Sequence, residues 1–243
     1  MAFTHEQETN FEIRANRLLK YLKKDIRHNR DYIPRPFIVE VTGSPSAGKT
    51  TTIVEIDKFF RRMDFSVWKP QEGAEVIRYI TRDTPVYNAR TGLYALTNVI
   101  DQAWGHQHDL VIFDRALFDA HVWMMYWEEK GKLSKERKQL FQQFFLDPFW
   151  ANYIDAAFFM ICDPELAIIR ERENALTQKL GETTNLKTVT SLVNRYKEAY
   201  EVLSPSYPNL HLFDTTNVNK QEMSGHIAEY ILSALEAKNL NGS

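Results

Sequence analysis

Gly43-Ser44-Pro45-Ser46-Ala47-Gly48-Lys49-Thr50 decides how the rest of the 243-residue chain is read. The pattern is G-x-x-x-x-G-K-T, the Walker A signature of a phosphate-binding loop. Its flanks are those the mechanism needs. Phe37 to Val41 is a short apolar, β-branched run that reads as a strand, and a helical pattern follows the loop through Phe60. Glycines let the backbone curl so that successive N–H groups face phosphate oxygens, and the helix N-terminus adds partial positive charge. The stretch Gly43, Ser44, Pro45, Ser46, Ala47, Gly48, Lys49, Thr50 and Thr51 is therefore expected to cradle a nucleoside triphosphate. Lys49 would reach the β- and γ-phosphates, and the Thr50 hydroxyl would ligate Mg²⁺.

Outward from the loop the chain alternates strand and helix. Ser66 to Lys69, Leu110 to Phe113, Ala156 to Cys162 and Leu210 to Phe213 read as further strands, and Thr91 to Gln107 as a long helix. Apolar runs of this kind suit parallel strands buried on both faces. The expected class is α/β, a doubly wound parallel sheet of about five strands with helices on both faces. Leu110-Val111-Ile112-Phe113-Asp114 has the Walker B form, which puts Asp114 at the carboxyl end of the sheet, where ligands bind, as a second Mg²⁺ contact. Phe118 to Trp127 and Leu140 to Trp150 read as helices beside the sheet. Their aromatics would serve as core or as the contact of a homodimer.

Residues 1–33 stand apart as a basic amphipathic appendage to a domain spanning 34–243. Phe11, Ala15, Leu18, Leu19, Leu22 and Ile26 recur at helical spacing among Arg14, Arg17, Lys20, Lys23, Lys24 and Arg27, with an end expected near Asn29. Such a helix either docks on the main domain or offers a surface to a partner.

Composition excludes several classes. Apolar residues make up 44% and charged residues 26%, so the chain can build a core. A formal charge of -2 gives no electrostatic case for nucleic acid. The lone Cys162 cannot form an intrachain disulfide, and no zinc spacing is present. The polar start and the lack of an apolar run able to span a bilayer lead to the expectation of a soluble, cytoplasmic protein. A GTPase would show D-x-x-G after the third strand, where Arg115-Ala116-Leu117 follows Asp114, and Asn219-Lys220-Gln221-Glu222 only approaches a guanine-reading N-K-x-D.

Taken together, the residues from about Phe37 to Thr216 resemble the deoxynucleoside kinase and thymidylate kinase branch of P-loop kinases. The likeness rests on the Walker A loop, on Pro70-Gln71-Glu72 after the second strand, on Asp114-Arg115, and on Asp163-Pro164-Glu165 leading to Arg170 and Arg172. Leu210 to Thr216 is similar to the strand before the adenine-contacting loop of that branch. The match is not uniform. Gln71 separates the proline from the acid by one residue, and the two arginines lie closer together than is usual there. Glu72 to Val76, with Asp114-Arg115 and Asp119, is also similar to a looser group that includes nicotinamide riboside kinases.

The resemblance implies ATP-dependent phosphoryl transfer to a nucleoside or nucleoside monophosphate, with ATP and Mg²⁺ as cofactors. It implies Lys49 and Asp114 at the donor phosphates and Glu72 as the base that takes the acceptor's proton. Arg115 would clamp the acceptor, and Arg170 or Arg172 would close on the phosphoryl group from a lid around residues 164–186. Arg90 is a further candidate clamp, and Tyr79, Tyr87, Tyr94 and Phe118 could line a base pocket. Two other readings stay open: a polynucleotide or other hydroxyl kinase, and a nucleotide-binding regulatory ATPase or GTPase.

Overall fold

The computed structural model describes residues 5–22, 36–174 and 185–240. In chain order the elements are α1 (His5–Leu22), β1 (Phe37–Gly43), α2 (Lys49–Arg62), β2 (Val67–Trp68), α3 (Gly73–Val76), α4 (Pro85–Gly105), β3 (Leu110–Asp114), α5 (Leu117–Glu129), α6 (Lys135–Phe145), α7 (Pro148–Ala151), β4 (Ala156–Ile161), α8 (Pro164–Asn174), α9 (Leu186–Leu203), β5 (Leu210–Asp214) and α10 (Lys220–Leu240). The five strands form one sheet in the order β2-β3-β1-β4-β5, and every pairing is parallel. Val41 lies beside Asp114 and Gly43 beside Met160, so the carboxyl ends of β1, β3 and β4 come out together.

Strand alternation distributes β1 between two layers of helices. Its even residues face α5 and α9: Glu40 reaches the amides at the start of α5, and Thr42 reaches Asp119 and Tyr196. Phe37 faces the other way, under Lys238 of α10. On β4 the same division sets Phe159 against Phe118 and Tyr196, and Phe158 against Tyr230. The sheet is thus covered on both faces, and β1, β3 and β4 are almost wholly buried.

Several elements differ from the sequence reading. The long helix begins at Pro85, not Thr91, because Thr84 accepts the Tyr87 amide and Pro85 suits the first helical position. The aromatic stretch Leu140 to Trp150 is two helices: Pro148 cannot continue α6, and Asp147 caps α7 by accepting the Phe149 amide. α1 packs on α10, with Phe11, Ala15, Leu18 and Leu22 in the main core. Its basic face is partly consumed there, since Arg14 is paired with Glu229 and Glu236. The expected extension of this helix to Asn29, with Lys23, Lys24, Ile26 and Arg27, lies outside the described residues.

Glu40 has no surface exposure at all, in the middle of the sheet. Oε1 accepts the Ala116 amide at 2.9 Å and the Asp119 amide at 2.8 Å, and Oε2 accepts the Phe118 amide at 3.0 Å. The carboxylate serves as the N-terminal cap of α5, which has no side-chain cap of its own. Burial pushes Glu40 up to about 7, while the three amides pull it back. Glu40→Gln would turn an NH₂ group toward amide donors and leave buried groups unpaired. Chemical denaturation should show a loss of about 1–3 kcal/mol.

Candidate active site

The loop after β1 is held by close backbone packing. Gly43 has φ +146°, and a Cβ there would lie 1.8 Å from the Met160 carbonyl oxygen, so only glycine fits. The Ser44 amide donates to that same carbonyl at 2.9 Å. Ser46 (φ 55°) and Gly48 (φ 86°) take left-handed conformations that bring the chain into α2 at Lys49. A helix's first turn carries amides with no intrahelical partner, and α2 begins at Lys49 directly after this loop. Lys49 is buried and donates to the Ser44 carbonyl at 2.7 Å. Burial, and after it the Arg115 charge, pushes it down to about 8 against the pull of Asp114, Asp119 and Glu72.

Thr50 and Asp114 meet as the sequence led one to expect, with the Thr50 hydroxyl 3.3 Å from Asp114 Oδ2. One hydroxyl and one carboxylate beside a phosphate cradle fit Mg²⁺, which is bound by few protein oxygens plus substrate phosphates and water. No cluster of three or more acidic, His or Cys side chains able to hold a metal occurs among the described residues.

Two cavities open on either side of this point. One runs along the loop from Ser46 to Thr52 and is closed by Arg170, Glu171 and the segment from Thr215 to Met223. The other lies beyond Asp114 and Arg115, bounded by Glu72, Tyr87, Tyr94, Phe113 and Trp123.

Arg115 stands at the junction. It is a non-glycine residue at φ 67°, and its amide donates to the Val41 carbonyl at 3.0 Å. A left-handed conformation costs about 1–3 kcal/mol and persists only where the surroundings over-determine it. Here Glu40 holds the following amides, and two carboxylates hold the guanidinium. Arg115 Nε is 3.2 Å from Glu72 Oε1, and Nη1 is 3.0 Å from Asp119 Oδ1. Although burial opposes its charge, Asp119 leads the groups that keep Arg115 firmly protonated. Glu72 is raised by burial, against the pull of Arg115.

The fold itself is shared with known enzymes. A deoxyadenosine kinase from M. mycoides with bound dATP is similar to the chain at a TM-score of 0.53 and 17% identity, over 82% of this chain and 99% of the other. The structure of that enzyme with bound dCTP is similar at a TM-score of 0.51 and 17% identity, over 83% and 100%. The chain shares the fold of that deoxyadenosine kinase. No protein-family model and no curated protein matches the sequence.

The remaining expected residues divide. Tyr87 and Tyr94 line the second cavity, and the buried Tyr87 hydroxyl has no partner among the described residues. Tyr79 is fully exposed and Phe118 is core, so neither lines that cavity. Arg90 is exposed on α4 and lines neither cavity. Arg170 is engaged as a brace, donating to the Thr215 carbonyl at 3.1 Å, the Ser46 carbonyl at 3.5 Å and Cys162 Sγ at 3.3 Å. Arg172 is exposed, outside the loop cavity. Most of the expected polar lid, from Thr177 through Thr184, lies outside the described residues. The sequence reading missed Glu40, Thr42 and Tyr196, and gave Asp119 no role. A glutamate inside an apolar strand, and an acid four residues after Arg115, were the available signals.

Lys49→Ala removes a buried charge whose hydrogen bond, among the described residues, is to the loop's own backbone. Calorimetric titration should show triphosphate affinity reduced by about 10- to 100-fold, the worth of a charge-assisted contact. The thermal midpoint should hardly move.

Proposed function

We propose that the chain is an ATP-dependent kinase that phosphorylates a nucleoside or nucleoside monophosphate, with the hydroxyl of a nucleoside as the acceptor the site favours. The observation that carries this reading is the Glu72–Arg115 pair, which lines the aromatic cavity together with Asp114. A carboxylate is useful at that point only where a hydroxyl must lose a proton as it attacks. The deoxyadenosine kinase fold supports the same chemistry.

In this reading the loop amides and Lys49 bind and orient the donor phosphates, and Thr50 and Asp114 hold Mg²⁺. When bound, Mg²⁺ neutralises charge on the transferring group. Glu72 accepts the hydroxyl proton at a carboxylate oxygen, and Arg115 keeps that carboxylate oriented. Arg115 also offers positive charge to the acceptor. Tyr87 and Tyr94 present aromatic surface to a base, and the Tyr87 hydroxyl is available for a hydrogen bond to the acceptor. Arg170 acts by holding the loop to the Thr215–Thr216 backbone.

Among the described residues no helix is long and apolar enough to cross a membrane. A cytoplasmic location fits the substrate class and the unpaired, buried Cys162. A homodimer through the aromatic helices would use the side chains they leave exposed, namely Leu140, Phe144 and Phe149.

The test is a panel of nucleosides and nucleoside monophosphates incubated with labelled ATP, using wild type and Glu72→Gln. Transfer to a nucleoside hydroxyl should fall by about 10²- to 10⁴-fold in the variant, with ATP binding intact. A monophosphate acceptor, whose oxygen is already ionised, would lose far less. Transfer to neither class would end the proposal. The wild-type pH profile is a second check. Glu72 must be ionised to accept a proton, and burial raises it. The rate should therefore climb with pH along an acid limb lying above the ordinary carboxylate range, and Glu72→Gln should lack that limb.

A further inference from the structure

Asp119 lines the aromatic cavity beside Arg115 and is only 4% exposed. A single oxygen of it, Oδ1, receives three donors: the Thr42 hydroxyl at 2.5 Å, the Tyr196 hydroxyl at 2.6 Å and Arg115 Nη1 at 3.0 Å. They come from three places in the fold. Thr42 precedes the loop glycine on β1, Tyr196 is on α9, and Arg115 follows β3. Thr42 and Tyr196 are themselves 0% and 1% exposed. With both hydroxyl protons given to Asp119, the 3.0 Å approach between the two hydroxyls has no proton of its own. They are therefore arranged to fix the carboxylate and not one another.

The arrangement is unusual for a buried core. Tyr196 already packs its ring edge-on against Phe159, with centroids 5.1 Å apart, so phenylalanine would satisfy the packing alone. A buried carboxylate with a single cationic partner has freedom to turn. Two hydroxyls 3.0 Å apart, both bonded to Oδ1 beside the Arg115 contact, restrict that turn. Arg115 sits at φ 67° with its guanidinium spanning Asp119 and Glu72. A shift of Asp119 would therefore move the guanidinium and the carboxylate that it orients.

We infer that Tyr196 is a positioning residue for phosphoryl transfer, acting through Asp119 to fix the Arg115 guanidinium against Glu72, with Thr42 as the second restraint on Asp119. The role rests on the kinase reading for its effect on rate, but the placement of Arg115 stands independently of that reading. Tyr196 lines neither cavity, and its hydroxyl reaches the site through Asp119. Misplacement of a reacting group by about 1 Å can cost on the order of 10²-fold in rate.

The experiment compares Tyr196→Phe, Asp119→Asn and the double variant in two measurements. The first is steady-state transfer from ATP to whichever nucleoside the wild type accepts. Tyr196→Phe should lower kcat by about 10- to 100-fold and leave KM for ATP within about twofold. The double variant should be no slower than Asp119→Asn, because residues acting as one unit are not additive. The second measurement needs no turnover: the arginine Nε–H signal of Arg115 in ¹⁵N-labelled protein, assigned by its disappearance in Arg115→Lys. Its slow exchange with water should be lost in Tyr196→Phe and in Asp119→Asn. Multiplicative losses in the double variant, or a protected Arg115 signal in all variants, would overturn the inference. If the wild type phosphorylates no nucleoside, the kinase reading fails and the Arg115 signal still decides this one. Thr42→Val provides the same test should Tyr196→Phe fail to fold.

Discussion

The buried carboxylate of Glu40 is the contact on which the site depends. It lies on the central strand, where a charge is costly, and it receives three amides from the turn that follows β3. That contact replaces the missing side-chain cap of α5 and meets the partial positive charge of the helix start. It also holds the backbone on which Asp114, Arg115 and Asp119 point to three different places. Asp114 turns to Thr50, Arg115 to Glu72, and Asp119 inward to Thr42 and Tyr196. Without a rigid turn the left-handed Arg115 would relax, and these three directions would be lost together.

Around this turn the charges are nearly balanced. Lys49 and Arg115 are opposed by Glu72, Asp114 and Asp119 within one buried region, and Lys49 loses some of its basicity through burial and through Arg115. A triphosphate entering the loop would offer Lys49 a phosphate oxygen in place of the Ser44 carbonyl that it bonds among the described residues. Glu171 closes the same cavity from α8, with Ser46 Oγ donating to it at 2.8 Å. An anion in the cradle would repel that carboxylate.

Much of this was legible before the structure. The Walker A loop specified its own strand and helix, because glycine geometry and anion binding leave little choice of context. Asp114 followed from four apolar residues ending in an acid. Glu72 was reachable only through a family likeness with a one-residue offset, and it nevertheless falls beside Arg115. The failures have physical causes. Arg170 and Arg172 looked equivalent in sequence, yet two residues apart on one helix they face the loop and the solvent. Tyr79 and Phe118 could not be told from Tyr87 by residue type, since exposure is decided by tertiary packing. Glu40 was hidden within an apolar run, and Tyr196 pairs with Asp119 across 77 residues of sequence. Local patterns do not contain such a contact.

The central claim is that donor and acceptor bind in the two separate cavities and meet between Lys49 and Glu72. A crystal structure with a bisubstrate analogue, two nucleosides joined through a chain of phosphates, tests it most directly. One nucleoside should lie against the Thr215–Met223 segment, with the phosphates in the loop from Gly43 to Thr50. The other should lie among Tyr87, Tyr94 and Trp123, with its hydroxyl end at Glu72. Density for the second nucleoside outside that cavity, with Glu72 and Arg115 untouched, would contradict the account.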